Sequence, residues 1–109
     1  MKTTLTIEES AKLIELGVDA KLASSYVGMY RVPTFTLTDI LSILPKEIDG
    51  YHLSIEASSQ GYEVSYMLWD IGDEAYHFMG ATERPELIDA LNQLAIWCLE
   101  NNHIKTDKK

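Results

Sequence analysis

The chain has 109 residues, 46% of them hydrophobic and 24% charged, with a net charge of −8. Those values fit one globular domain with its own core, and they exclude a disordered chain or one that needs disulfides to hold together. Nine acids stand against one base, Arg84, over residues 51–102, so this half is a poor phosphate-binding surface and argues against nucleic-acid or anionic-lipid partners.

The first predicted element is a helix over about 7–16. Thr6-Ile7-Glu8-Glu9 reads as a capping box, Ala11, Leu13 and Ile14 fall at helical spacing, and Gly17 stands where a left-handed C-cap belongs. The N-terminal MKTTLTIEES has no apolar signal core, and no apolar run reaches the ~20 residues of a membrane span, so the sequence predicts a soluble, cytoplasmic protein. Residues 18–34 give the least definite pattern. Residues 20–26 fit one or two helical turns, and Pro33 disfavours helix at Val32. A second capping signal, Thr36-Leu37-Thr38-Asp39, precedes Ile40, Leu41 and Leu44, and Pro45 follows. The spacing predicts a short helix over about 37–43 and then a turn over 46–50.

Strict alternation follows. Tyr51, Leu53, Ile55 and Ala57 oppose His52, Ser54 and Glu56; after Ser58-Ser59-Gln60-Gly61, Tyr62, Val64, Tyr66 and Leu68 oppose Glu63, Ser65, Met67 and Trp69. This is a hairpin pattern, and pairing Ala57 with Tyr62, Ile55 with Val64 and Leu53 with Tyr66 puts the apolar sets on one face. With 70–74 as a turn, residues 76–79 supply a third strand, its Tyr76 and Phe78 directed inward. The last element is an amphipathic helix over about 83–100, with Thr82 as N-cap, Pro85 in its first turn and a stripe of Leu87, Leu91, Leu94 and Cys98. Residues 103–109 read as a frayed tail. The predicted fold is thus a single α+β domain over 1–109: short N-terminal helices, a three-stranded antiparallel meander, and a long C-terminal helix packed on the sheet.

Chemistry is sparse. His52, His77 and His103 have no partners at metal-binding spacing, and the lone Cys98 lies among Ile96, Trp97 and Leu99, where it reads as a small buried hydrophobe. Asp70, Asp73, Glu74, Glu83 and Glu86 do not follow a calcium-loop order. No catalytic residue, cofactor or metal site is expected. The tyrosines of the sheet come without lysine or arginine and alternate toward the core, unlike sheets that stack RNA bases. Met67 and Trp69 are the residues that folding alone leaves unexplained, because alternation turns them away from the face carrying Tyr66. They define a candidate interaction face together with His52 and His77, which the same reading places on the outer side with Ser54, Glu56 and Glu63. This face is expected to be covered, either by the N-terminal helices or by another chain.

FTLTDILSILPKEI (35–48), the tyrosine-bearing hairpin and ELIDALNQLAIWCLEN (86–101), with SAKLIELG (10–17) before them, resemble small uncharacterised proteins of prophages and mobile elements of gut Bacteroidetes. The resemblance implies an intracellular accessory protein and carries no catalytic residues. Two function classes follow: a non-enzymatic protein-interaction or accessory module that binds a protein partner or itself, and a small-molecule-binding or enzymatic role in a cleft beside the sheet. The absence of a catalytic constellation favours the first.

Overall fold

The structure is a computed structural model and describes residues 1–105. Its elements run α1 (Ile7–Glu15), a 3-10 turn (Ala20–Leu22), β1 (Ser25–Val27), β2 (Val32–Thr34), α2 (Leu37–Ile43), β3 (Glu47–Ile48), β4 (Tyr51–Ser58), β5 (Gly61–Asp70), β6 (Ala75–Arg84) and α3 (Leu87–Glu100). The fold is α+β. Its sheet, however, has four strands in the order β3-β4-β5-β6, and β1 and β2 form a separate antiparallel hairpin, so the three-stranded meander is a correction on both counts. Of the expected tail, residues 106–109 lie outside the described residues. His103 and Ile104 are packed rather than frayed: His103 donates its amide to the Cys98 carbonyl, its ring lies 5.0 Å from Trp97, and Ile104 rests on the core.

Local chemistry sets the helices. In α1 the Thr6 hydroxyl accepts from the Glu9 amide and the Glu9 carboxylate accepts from the Thr6 amide. Gly17, at φ 115°, closes the other end: Gly17 donates to the Ile14 carbonyl and Val18 to that of Leu13, a Schellman motif with Val18 and Leu13 both buried. α2 repeats the capping box with Thr36 and Asp39. Residues 20–26 form the single 3-10 turn and the start of β1, not a second helical turn, because Asp19 caps the turn locally and the chain is already extended at Ala23.

Asp39 does more than cap. Its carboxylate also accepts from the Ser24 amide and hydroxyl, tying the segment before β1 to α2. Burial alone would raise its pKa; the hydrogen bonds from Ser24 and Thr36 outweigh that and hold the carboxyl below its ordinary value. A lowered native pKa contributes stability that is complete above the ordinary carboxylate value and is lost as pH falls through the native one. Asp39→Asn is therefore expected to lower stability by about 1–2 kcal/mol at neutral pH. The gap to wild type should close as urea midpoints are taken below pH 4, toward the range where Asp39 itself is protonated; a gap that stays constant to pH 2 would sink this assignment.

Lys2 ties the chain's beginning to its end. Its ammonium lies 2.8 Å from Glu9 of α1 and 2.7 Å from Asp89 of α3, and its amide donates to the Glu86 carboxylate. Thr3, Thr4 and Leu5 then run along residues 35–37 through an isolated bridge and backbone hydrogen bonds.

α3 packs on the inner face of β5 and β6 and against α2. Its Ile88, Ala90, Leu91, Leu94, Ala95 and Cys98 are fully buried, opposite Val64 and Tyr66. Each of the large aliphatic side chains contributes about 1.5–3 kcal/mol by leaving water. The Tyr66 hydroxyl donates to the Pro45 carbonyl at 2.8 Å, fastening the end of α2 to the sheet.

The pairing of β4 with β5 is the expected one, with Leu53 opposite Tyr66, Ile55 opposite Val64 and Ala57 opposite Tyr62. The β5–β6 register differs. Asp70 pairs with Ala75, leaving four turn residues instead of five, so Leu68 faces His77 and Tyr66 faces Met79. One residue of slip exchanges the faces of a strand. His77 and Met79 therefore lie on the inner side and Tyr76 and Phe78 on the outer, the reverse of the expectation. A bulge at Gly80-Ala81 then shifts the ladder, and pairing continues to Tyr62–Arg84. Gly80 has φ 69°, and a Cβ there would stand 2.8 Å from the Trp97 ring. Because the strand runs on to Arg84, Thr82 is a strand residue rather than a cap, and Pro85 ends the ladder before α3 starts at Leu87.

Candidate interaction face

Residues directly opposite in an antiparallel sheet share a face. The register thus places His52, Met67 and Phe78 together in one row, Trp69 and Tyr76 in the next, and Ser54 and Ser65 beyond them. The far end of the same face is a row of three glutamates, Glu56, Glu63 and Glu83. α3 covers only the other side. The molecule measures 55 × 36 × 16 Å, and its short axis is the thickness of one helix layer on one sheet layer.

Trp69, Tyr76 and Phe78 are 48%, 54% and 54% exposed. The Trp69 and Tyr76 rings meet edge-on with centroids 4.8 Å apart, and Tyr76 lies 6.4 Å from Phe78. Each ring supports the next, which presents a contiguous apolar surface on a rigid strand pair. The N-terminal helices do not reach it: α1 packs against β2 and α2 against α3. Cover by the N-terminal helices is thereby overturned for this face.

Of the four residues singled out from sequence, Met67, Trp69 and His52 come together, while His77 lies on the opposite face. Tyr76 and Phe78, read as core, take its place. His77 Nε2 is 3.0 Å from Asp73 Oδ2 and 3.4 Å from Asp70 Oδ2, and Asp70 Oδ1 accepts from the Gly72 amide. These groups fall within 4.8 Å of one another but are engaged in holding the β5–β6 turn. Glu83 and Glu86 are remote from them, one in the glutamate row and the other at the start of α3. His52 is mostly exposed and stands 3.6 Å from Glu47.

The buried hydroxyl and thiol are chemically quiet. Burial pushes the Cys98 thiol up, and burial together with the neighbouring Cys98 pushes the Tyr66 phenol far above its ordinary value, so neither supplies an anion at neutral pH. A shallow cleft of about 100 Å³ lies between the 3-10 turn, α2 and the segment after α3, lined by Val18, Leu22, Ile43 and Ile104. Neither His52 nor His77 lines it. The β1–β2 hairpin exposes Met29 and Tyr30 at its tip and sets Arg31 over the Tyr26 ring at 5.1 Å. Among the described residues no helix is long and apolar enough to cross a membrane.

No protein-family model matches the chain, and neither the curated proteins nor the solved structures contain a significant match to it.

Proposed function

We propose that the protein is a non-enzymatic interaction module that docks a partner protein on the outer face of β4, β5 and β6. The observation that carries this reading is the half-exposed cluster of Trp69, Tyr76 and Phe78, side by side with no layer of the described residues over it. Aromatic and Met residues are enriched where proteins meet, and large contiguous apolar patches on monomers mark such sites. An accessory role on a mobile element, which the resemblance implies, is of the same kind. The small cleft is lined mainly by apolar residues, with Asp19 and Lys105 as its titratable groups and neither His52 nor His77 among them.

A photo-crosslinking residue in place of Tyr76 tests the reading in living cells. Crosslinks to a discrete protein are expected there and not from the same residue placed at Glu100. Trp69→Ser should suppress them while shifting the melting temperature by no more than a few degrees, as for a half-exposed side chain. Crosslinks absent at Tyr76, or indifferent to Trp69→Ser, would remove the face from consideration.

A further inference from the structure

Glu56, Glu63 and Glu83 stand directly opposite one another across three strands. Adjacent strands are about 4.8 Å apart, so the row spans about 10 Å and holds three carboxylates at close quarters. Like charges placed this way destabilise a sheet. The register turns no lysine or arginine of β4, β5 or β6 toward the row, and among the described residues the hydrogen bond to its carboxylates is from the Ser58 hydroxyl to Glu83. Arg84, the one base of this half, is paired with Tyr62, and its guanidinium donates to the Glu83 backbone carbonyl at 2.7 Å; no ion pair joins it to a carboxylate of the row.

From this we infer that the segment docked on the face is a cationic amphipathic helix of a partner protein, its apolar residues on Trp69, Tyr76 and Phe78 and its lysines or arginines on the glutamate row. The inference rests on the docking role proposed above and names the chemistry of the occupant. The width of the face, two strand spacings or about 10 Å, is the diameter of one helix. Between the two ends lie the small residues Ser54 and Ser65, with the Gly80-Ala81 bulge beside them on β6, which allow close approach. Along β5, Met67 is four residues from Glu63, about 13 Å, so apolar anchors and basic groups are separated by two to three helical turns. Such a helix would mirror α3 and complete a three-layer sandwich. A second copy of this chain fits less well, because stacking its own patch on this one brings no cation to the row. Nucleic acid would meet the row as like charge.

The experiment is a titration of the intact protein with a fluorescent 18-residue leucine–lysine peptide of helical period, and with a leucine–glutamate peptide of the same pattern, after sedimentation of the protein alone. The lysine peptide is expected to bind and the glutamate peptide not to. Glu56→Gln/Glu63→Gln/Glu83→Gln should weaken binding about tenfold, as three surface charge pairs would. The same variant should melt a few degrees higher than wild type at low salt, through relief of repulsion. A charge-matched control, Glu8→Gln/Glu74→Gln/Glu100→Gln, should weaken binding less than about twofold, since those charges lie off the face. Equal weakening by both triple variants would reduce the effect to net charge and overturn the inference. Equal binding of both peptides, lost in Trp69→Ser, would overturn the cationic partner and leave the docking face standing. A wild-type dimer that Trp69→Ser dissociates would make the occupant a second copy. Binding of the lysine peptide that survives Trp69→Ser unchanged would sink both the inference and the proposed function.

Discussion

Leu91→Asp is expected to leave no cooperative thermal transition. Leu91 is fully buried at the centre of the α3 stripe, between the sheet and the helix backbone. A carboxylate there has no partner: every described lysine and arginine is exposed except Lys2, which already serves Glu9 and Asp89. An unpaired buried charge costs more than about 4 kcal/mol, or forces uptake of a proton and leaves a buried polar group instead. A domain of this size has about 5–15 kcal/mol in total. Ile71→Asp is the matched control, because Ile71 is 81% exposed in the β5–β6 turn and its loss should leave the melt within about 0.5 kcal/mol of wild type. A cooperative melt retained by Leu91→Asp would take this helix face out of the core.

Gly61→Ala should be nearly as damaging for a different reason. Gly61 opens β5 at φ 130°, outside the range of other residues, and a Cβ there would fall 2.3 Å from the Arg84 carbonyl oxygen and 2.5 Å from Pro85 Cα. Both obstacles are backbone at the β6–α3 junction, so relief requires moving the chain itself. Strain and overpacking together amount to about 3 kcal/mol, or roughly 15 °C in melting temperature. Gly28→Ala separates the two contributions. Gly28 also has positive φ, 79°, but a Cβ there meets nothing within 4 Å. It should lose only about 1 kcal/mol. Similar losses at both glycines would mean that the clash at Gly61 relaxes freely.

The parts of the fold legible in sequence are those governed by short-range rules. Both capping boxes and the β4–β5 register depend on residues within a few positions of one another, and they were readable to within a residue. The facing of β6 was not, because it depends on whether the turn after Asp70 has four residues or five, and Gly72 and Asp73 permit either. That single count moved Tyr76 and Phe78 out to the candidate face and His77 away from it. Thr82 and Pro85 carry a good helix-start signal, yet pairing with β5 continues past the bulge at Gly80, a position where the distant Trp97 ring leaves no room for a side chain. β1, β2 and β3 are two or three residues long, too short for alternation to show. The charge of the face was visible as a half-chain excess of acids. Its arrangement as a row of three was not, since that needs the pairing of all three strands.

The bulge has a bearing on self-assembly. β6 is the outer strand of the sheet, ten residues long, and residues 75–82 contain neither proline nor lysine to blunt it. A straight, flat strand of that kind is a template for adding further chains, one after another, into a fibre. The left-handed turn at Gly80 breaks it into two short stretches with different registers. Ala75 to Met79 offers only five residues of regular edge, too few to hold an added strand by its backbone alone. Trp97 sits over Gly80, where a Cβ would fall 2.8 Å from its ring, so the packing of α3 and the break in the sheet's edge rest on the same glycine.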